Sequence, residues 1–338
     1  MAQTRAERNR ERSEAGRSEP KQGSSGSGSG SGSGDPDSPA ELEKSDWKSV
    51  LKRTVKEFKQ DDLTDWAAAL TYYGVLSLFP GLLVLVSLLG LFGESTTQPI
   101  IDNLTALAPG PARDIITEVI TNAQQSQAAG VAFFIGIAAA LWSASNYVGA
   151  FMRASNHIYE VEEGRPFWKL RPLQIALTVV MVIVLAAVSL AVVVSGPLAQ
   201  SVGDLIGLGD AAVTIFNIAK WPVIAIIFAL MIAGLYYVGP NVQHPKFQWV
   251  SVGGIFAIVM WFIASLLFAW YVTMFPANPT FGAIGGVILF LTWLWISNVV
   301  ILLGAEMNAE MERQKKIKEG MPESQEPFLP LKDEPKKK

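Results

Sequence analysis

Cysteine is absent from the 338-residue chain, and histidine occurs only twice, as His157 and His244. Disulfide bonds, thiolate chemistry and cysteine-ligated metals are therefore excluded, and only these two residues offer imidazole to a metal. Charged residues make up 17% of the chain and concentrate at its two ends, whereas 50% of the residues are hydrophobic. This composition is typical of a protein with several membrane-spanning segments.

Motifs for nucleotide binding and metal-dependent hydrolysis are also absent, since the sequence contains no GxxxxGK[ST], no HExxH and no Cys/His metal spacing. We therefore expect no cofactor, no metal and no enzymatic activity. Acidic residues follow His157, and a membrane hydrolase acting there is a third, weaker hypothesis. Because Glu160, Glu162 and Glu163 lack a metal-ligand spacing, they predict a solvated loop. Both tails mix acidic and basic residues, which argues against a nucleic-acid partner.

Six apolar runs are each long enough to cross about 30 Å of hydrocarbon as a helix. The predicted fold class is all-α, a polytopic membrane protein with a six-helix transmembrane domain over residues 66–308. Basic residues flank alternate connections, which places both termini in the cytoplasm and the protein in the cell (inner) membrane. The predicted spans are Trp66–Phe92, Gly130–Ala154, Leu173–Ser195, Val213–Val238, Trp249–Thr273 and Gly282–Ala305.

The segments around these spans have their own patterns. The Gly/Ser-rich tail 1–44 and the charged, proline-containing tail 309–338 predict disorder. Residues 97–129 predict a helical hairpin on the outer face. Residues 45–65 predict an amphipathic juxtamembrane helix, whose lysines favour binding of residues 45–63 to anionic lipid; packing on the bundle is the alternative.

Two of the predicted spans carry polar stripes that should face away from lipid. Each stripe covers roughly a quarter of the helix circumference at about 100° per residue. The stripe on the second span comprises Trp142, Ser145, Asn146, Gly149, Arg153 and Asn156, and the stripe on the sixth comprises Trp295, Asn298, Leu302 and Glu306.

The two stripes end in opposite charges. Arg153 lies eleven residues after Trp142, and Glu306 lies eleven residues after Trp295, so the charges are expected at equal depth. They predict an ion pair or a pair bridged by substrate, with independent snorkelling to the headgroups as the alternative. With two polar residues of the first span, the predicted polar pathway consists of Thr71, Tyr72, Trp142, Ser145, Asn146, Arg153, Asn298 and Glu306.

Four further residues within the spans predict local features. Gly282 and Gly286 form a small-xxx-small pair that favours close approach of another helix. Pro80 is expected to interrupt and kink the first span. Lys220 is expected to snorkel to the outer headgroups, the alternative being a buried functional lysine.

The sequence resembles the YihY/virulence factor BrkB family of bacterial cytoplasmic-membrane proteins over about residues 50–312. The resemblance rests on ALTYYGVLSLFPGLLVL, LWSASNYVGAFMRASNHIYEVEEGRPFW, YYVGPNVQHPKFQWVSVGGIFAIVMWFIASLLFAWYV and FGAIGGVILFLTWLWISNVVILLGAEMNAEMER. It implies six spans and cytoplasmic termini. Some members carry a ribonuclease label, which these residues give no reason to accept. The Gly/Ser-rich tail departs from the family pattern.

Together these features favour transport, export or lipid translocation of an unidentified substrate across the bacterial inner membrane. The alternative is a structural or assembly protein of the cell envelope, in which the polar stripes only hold helices together. The lipid bilayer is the expected partner, and assembly with further copies of the chain stays open.

Overall fold

Seven α-helices form the framework of the part of the chain that the structure describes. The computed structural model describes residues 42–91, 129–193, 210–274 and 282–335, so the tail up to residue 41 and the predicted hairpin over 97–128 lie outside the described residues. The predicted all-α class is confirmed for the described ranges. The helices are α1 (Lys44–Gln60), α2 (Leu63–Leu91), α3 (Ala129–Ile158), α4 (Phe167–Val193), α5 (Asp210–Val238), α6 (Phe247–Met274) and α7 (Gly282–Lys318).

Four of these helices contain long apolar candidate membrane spans, because a helix satisfies its own backbone hydrogen bonds inside hydrocarbon. These spans are Phe167–Val188, Val213–Val238, Val252–Met274 and Gly285–Lys318. Large apolar side chains point outward along them, with 62% of Ile183 and 71% of Leu266 exposed. An outer surface of this kind suits lipid. The first predicted span coincides with α2, which is helical through position 80.

Helices α2 to α7 form a closed ring in chain order, because each packs on the next and α7 returns to pack on α2. The contact between α4 and α5 is the least extensive in this ring. Helix α1 lies outside the ring, against α7 and the start of α2. The ring therefore has one loose seam, between α4 and α5.

Helices α6 and α7 cross at glycines. A Cβ atom on Gly304 would lie 2.8 Å from the Cβ of Ala257, and the backbone N–H of Gly253 donates to Oδ1 of Asn308 at 2.8 Å. By contrast, a Cβ on Gly286 would meet no atom of the described residues within 4 Å. Within this part of the chain, no second helix approaches Gly286, and small residues permit a crossing only where a second helix faces them.

The carboxyl-terminal segment differs from its prediction. Residues 309–335 were expected to be disordered, but α7 continues to Lys318, and Phe328 and Leu329 are buried. Val242 and Leu331 form an antiparallel bridge. The charges do not keep the segment in solvent, because they pair within the protein. We call α1, the loops 159–166 and 239–246, and residues 306–335 the basal platform.

Helix α1 belongs to the basal platform. Val50 is fully buried with Leu42 against Met307 and Met311 of α7. The Nε of Arg53 donates to Oε2 of Glu310 at 2.6 Å. Of the two alternatives for this helix, the structure shows packing on the bundle. Residues 42–44, predicted to belong to a disordered tail, are ordered here.

The loop after α3 is also more buried than predicted. Helix α3 ends in a Schellman turn, with Glu160 in the left-handed region at φ 53° and Val161 N–H donating to the carbonyl of Asn156. Arg165 is 7% exposed and donates to both carboxylate oxygens of Glu163, at 2.6 and 2.7 Å. Burial opposes ionisation of Glu163, but the hydrogen bonds and charge of Arg165 outweigh it and lower the Glu163 pKa.

Candidate functional site

Three helices of the ring share a buried polar network centred on Asn298 of α7. Asn298 is 1% exposed, and its Nδ2 donates to Oγ1 of Thr71 on α2 at 3.1 Å. The hydroxyl of Tyr147 on α3 donates to Oδ1 of the same amide at 2.7 Å. Thr71 in turn donates to the carbonyl of Ala67. The structure thus brings two predicted pathway residues together and adds Tyr147.

The rest of the α3 stripe faces α4. Arg171 of α4 donates to Oδ1 of Asn146 at 3.0 Å and to the carbonyl oxygen of Trp142 at 3.0 Å. Ser145 is fully buried and donates to the same Trp142 carbonyl. The two polar stripes predicted from the sequence therefore do not line one common path.

Arg153 and Glu306 lie in different surroundings. Arg153 is exposed, and its guanidinium carbon is 5.8 Å from the centre of the Tyr73 ring. Glu306 is 1% exposed and close enough to Tyr159 to act on it electrostatically. The structure does not bring these two charges together as an ion pair.

The remaining predicted residues lie at the edges of the polar network. Tyr72 is 60% exposed and contacts Tyr73 edge to face. The indole N–H of Trp295 donates to the carbonyl of Thr64 at 3.2 Å, while Leu302 is fully buried. Trp295 therefore ties α7 to the start of α2.

A buried ionisable cluster lies inside the basal platform. Nδ1 of His244 is 2.8 Å from Oε1 of Glu312, and both side chains are fully buried. The rings of Tyr159 and Tyr237 lie 5.4 and 5.2 Å from the imidazole. Across the described ranges, no group of three His, Asp or Glu side chains is arranged to hold a metal ion.

An apolar groove follows the loose seam between α4 and α5. One section, of about 310 Å³, is lined by residues that include Leu177 and Val238. The second section, of about 460 Å³, is lined by residues that include Lys220. Both sections include Val184 and Ile227, so they form one continuous groove. Lys220 is 8% exposed and lines the second section, and snorkelling of its ammonium to the headgroups stays a prediction.

Sequence reasoning missed several residues of these clusters. Arg171 precedes the predicted span Leu173–Ser195 and was interpreted only as a flanking positive charge, whereas the candidate span in the structure begins at Phe167 and includes it. Tyr147 directly follows Asn146, so it lies about 100° outside the α3 stripe, and it gave no charge signal. His244 and Glu312 are 68 positions apart in the chain, so no local pattern joins them.

A ring of long apolar helices with a lipid-compatible outer surface defines a multi-pass helical membrane protein. The family model described as Virulence factor BrkB matches residues 54–327, and the chain belongs to this family. The resemblance drawn from the sequence motifs is thereby confirmed.

Three relatives illustrate the range of similarity. The "Putative ribonuclease-like protein YfkH" of Bacillus subtilis (strain 168) is 31% identical over 275 residues, 81% of this chain and 99% of the relative. A "UPF0761 membrane protein" of Vibrio campbellii (strain ATCC BAA-1116) is 27% identical, covering 76% and 80% of the two chains. "UPF0761 membrane protein IL2447" of Idiomarina loihiensis is 25% identical, covering 80% and 96%. No solved structure matches the chain.

Proposed function

We propose that the chain translocates lipid across the bacterial cytoplasmic membrane, with six spans and both termini in the cytoplasm. The observation that carries the proposal is the apolar groove at the α4–α5 seam. Its walls expose almost no polar surface, so they favour the acyl chains of a lipid over a freely soluble ion or polar solute. An acyl chain has the matching chemistry.

The dimensions of the groove support a path through the hydrocarbon. Lys220 and Val238 are eighteen residues apart on α5, which corresponds to about 27 Å along the helix. The hydrocarbon core of a bilayer is about 30 Å thick. Lys220 lines one end, and Nζ of Lys332 donates to the carbonyl of Tyr237 at the other. A cation near each end suits an anionic headgroup in either leaflet.

Lipid flux in vesicles tests this function. Purified protein would be reconstituted with fluorescent phospholipid, and the fraction of label accessible to an external quencher measured over time. Val184→Trp should fill the groove and abolish the exchange that the wild type supports. Ile183→Trp is the matched control, since Ile183 is the neighbouring residue and is 62% exposed on the outer surface. A wild type without exchange, or equal rates in both variants, would refute the proposal.

A structural or assembly role is the second candidate, because one specific observation favours it. Asn298, Tyr147 and Thr71 satisfy one another across three helices, as polar groups do when they hold a bundle together. This candidate predicts no flux in any variant. It also predicts that Asn298→Leu impairs assembly of the envelope while Val184→Trp does not.

Enzymatic activity is not part of our proposal. The ribonuclease-like name belongs to the Bacillus subtilis relative. Incubation of the purified protein with labelled RNA tests this point, and cleavage that copurifies with the protein would contradict it.

Helix α1 supports an additional partner, the anionic membrane surface. Its outer side exposes Leu51 and Val55, at 45% and 55%, next to the exposed Lys48 and Lys52. Apolar side chains flanked by lysines favour adsorption to anionic lipid. Replacing both lysines with glutamine should weaken cosedimentation of a peptide of residues 42–62 with anionic vesicles.

A further inference from the structure

The guanidinium of Arg171 is held between α3 and α4 entirely by uncharged groups. Its terminal nitrogens donate to Oδ1 of Asn146, to Oε1 of Gln174 at 3.1 Å and to the carbonyl of Trp142. The guanidinium carbon lies 3.8 Å from the centre of the Trp142 ring. Among the residues that the structure describes, none places a carboxylate within ion-pair distance of Arg171. Its positive charge is therefore not neutralised by an acidic side chain there.

Three of the four other arginines that the structure describes show a different arrangement. Arg53, Arg165 and Arg313 each pair with a glutamate carboxylate. Lys169, two positions before Arg171, pairs with Asp333 at 2.7 Å. A cation within a membrane-spanning segment needs a counter-charge or water, so the arrangement around Arg171 leaves a place for an anion.

The groups around Arg171 hold its guanidinium in a fixed orientation. Gln174 is 6% exposed, and a Cβ atom on Gly149 would lie only 3.0 Å from its amide nitrogen, so Gly149 leaves room for that amide. Two amide oxygens and one carbonyl fix the plane of the guanidinium. Of its five N–H donors, three are used, one Nη2 donor remains, and Nε is buried without a hydrogen-bond partner among the described residues.

The position of the cluster along α4 suits a lipid headgroup. Phe167 and Trp168 begin the helix and are each 69% exposed, as aromatic residues are at a membrane interface. Arg171 follows Phe167 by four residues, or about 6 Å along the axis. Trp142 is 53% exposed, so the cluster reaches the outer surface of the ring.

We propose that Arg171, oriented by Asn146 and Gln174, binds a phosphate oxyanion on the lipid-facing surface between α3 and α4. The guanidinium stays charged at physiological pH, and its remaining Nη2 donor can form a charge-assisted hydrogen bond to a phosphate oxygen. The phosphate comes from an anionic lipid headgroup or from free phosphate in solution. The α4–α5 groove lies at a different seam, and the Arg171 site does not depend on lipid translocation.

Native mass spectrometry of the detergent-purified protein tests the lipid source. Phosphatidylglycerol is titrated against wild type, and diacylglycerol serves as the phosphate-free lipid. We expect Arg171→Gln to raise the Kd of the first phosphatidylglycerol by roughly tenfold, as for loss of a charge-assisted hydrogen bond. Lys169→Gln also removes one positive charge, but that charge is already paired with Asp333, so this Kd should not change. Diacylglycerol binding should be the same in all three proteins.

Inorganic phosphate tests the soluble source. If free phosphate is the ligand, it raises the Tm of wild type and of Lys169→Gln but not of Arg171→Gln. Should Arg171→Gln fail to fold, Gln174→Leu keeps the charge but removes one orienting acceptor, and a smaller loss of affinity is expected. The proposal is overturned if phosphatidylglycerol and phosphate act equally on wild type and on a folded variant. If Arg171→Gln loses phosphatidylglycerol binding but keeps lipid flux, the Arg171 site is separate from the translocation path. Loss of flux without loss of binding separates them in the same way.

Discussion

The imidazole of His244 and the carboxylate of Glu312 meet 2.8 Å apart in the interior of the basal platform, where neither side chain is exposed. The contact joins the loop between α5 and α6 to the extension of α7 beyond the apolar run. Glu312 also raises the pKa of Tyr159, after the larger effect of burial. This pair therefore connects three segments that are distant in the sequence.

Glu312→Ala should destabilise the protein by about 1–3 kcal/mol, because it leaves a buried imidazole without its hydrogen-bond partner. Thermal unfolding in detergent measures the effect. The control is Glu319→Ala, since Glu319 is exposed and pairs with Lys315 and Lys316 of α7, and its loss should change stability by about 0.5 kcal/mol or less. Equal effects of the two substitutions would show that the buried pair contributes nothing specific.

Arg313→Met should release the carboxyl-terminal segment from the basal platform. Arg313 is 1% exposed, pairs with Glu326 and lies 4.7 Å from the centre of the Phe328 ring. Removing one partner of a buried ion pair costs about 3–5 kcal/mol. Hydrogen exchange of residues 319–335 should accelerate in this variant. Lys316→Met, which removes a partly exposed lysine of the same helix, should leave that exchange slow. Fast exchange of residues 319–335 in the wild type would contradict their packing in the basal platform.

Gly304→Ala should destabilise the α6–α7 crossing by about 1–3 kcal/mol, because the new Cβ would lie within 2.8 Å of Ala257 and Gly253. Gly286→Ala is the matched control in the same helix, since its Cβ would meet no atom of the described residues within 4 Å. It should be neutral or stabilise the helix by up to about 1 kcal/mol. Reversed effects in thermal unfolding would place the crossing elsewhere.

Asn298→Leu should cost about 1–2 kcal/mol, because the hydroxyls of Tyr147 and Thr71 lose a shared partner inside the ring. A double-mutant cycle with Tyr147→Phe isolates the contact. The two substitutions together should cost less than the sum of their separate effects. Strict additivity would mean that the hydrogen bond does not contribute to stability.

The Glu163–Arg165 contact predicts a dependence of stability on acid. The Glu163 pKa is lowered in the folded state, so its contribution is complete above the ordinary glutamate pKa of about 4.3 and is lost as the pH falls through the folded value. Between about pH 5 and the lower folded pKa, the wild type should lose more stability than Glu163→Gln. Parallel pH profiles of the two proteins would contradict this account.

Parts of the candidate site were predictable and parts were not. The polar character of Asn298 and Thr71 within apolar helices predicted that they face the interior, and the structure places them together. The predicted pairing of Arg153 with Glu306 rested on equal depth, but depth does not define how a helix is rotated relative to its neighbours. In the structure, α3 is rotated so that its polar residue Asn146 faces Arg171 of α4.

The sequence by itself determined the helical membrane class, because runs of apolar residues can satisfy their backbone hydrogen bonds in lipid only as helices. It determined the family as well, through four extended motifs. Only the tertiary structure decided that residues 309–335 pack into the basal platform and that α4 and α5 meet at a loose seam. Both depend on contacts between residues far apart in the chain. The local sequence around a charged or apolar side chain does not identify the residue that it will contact.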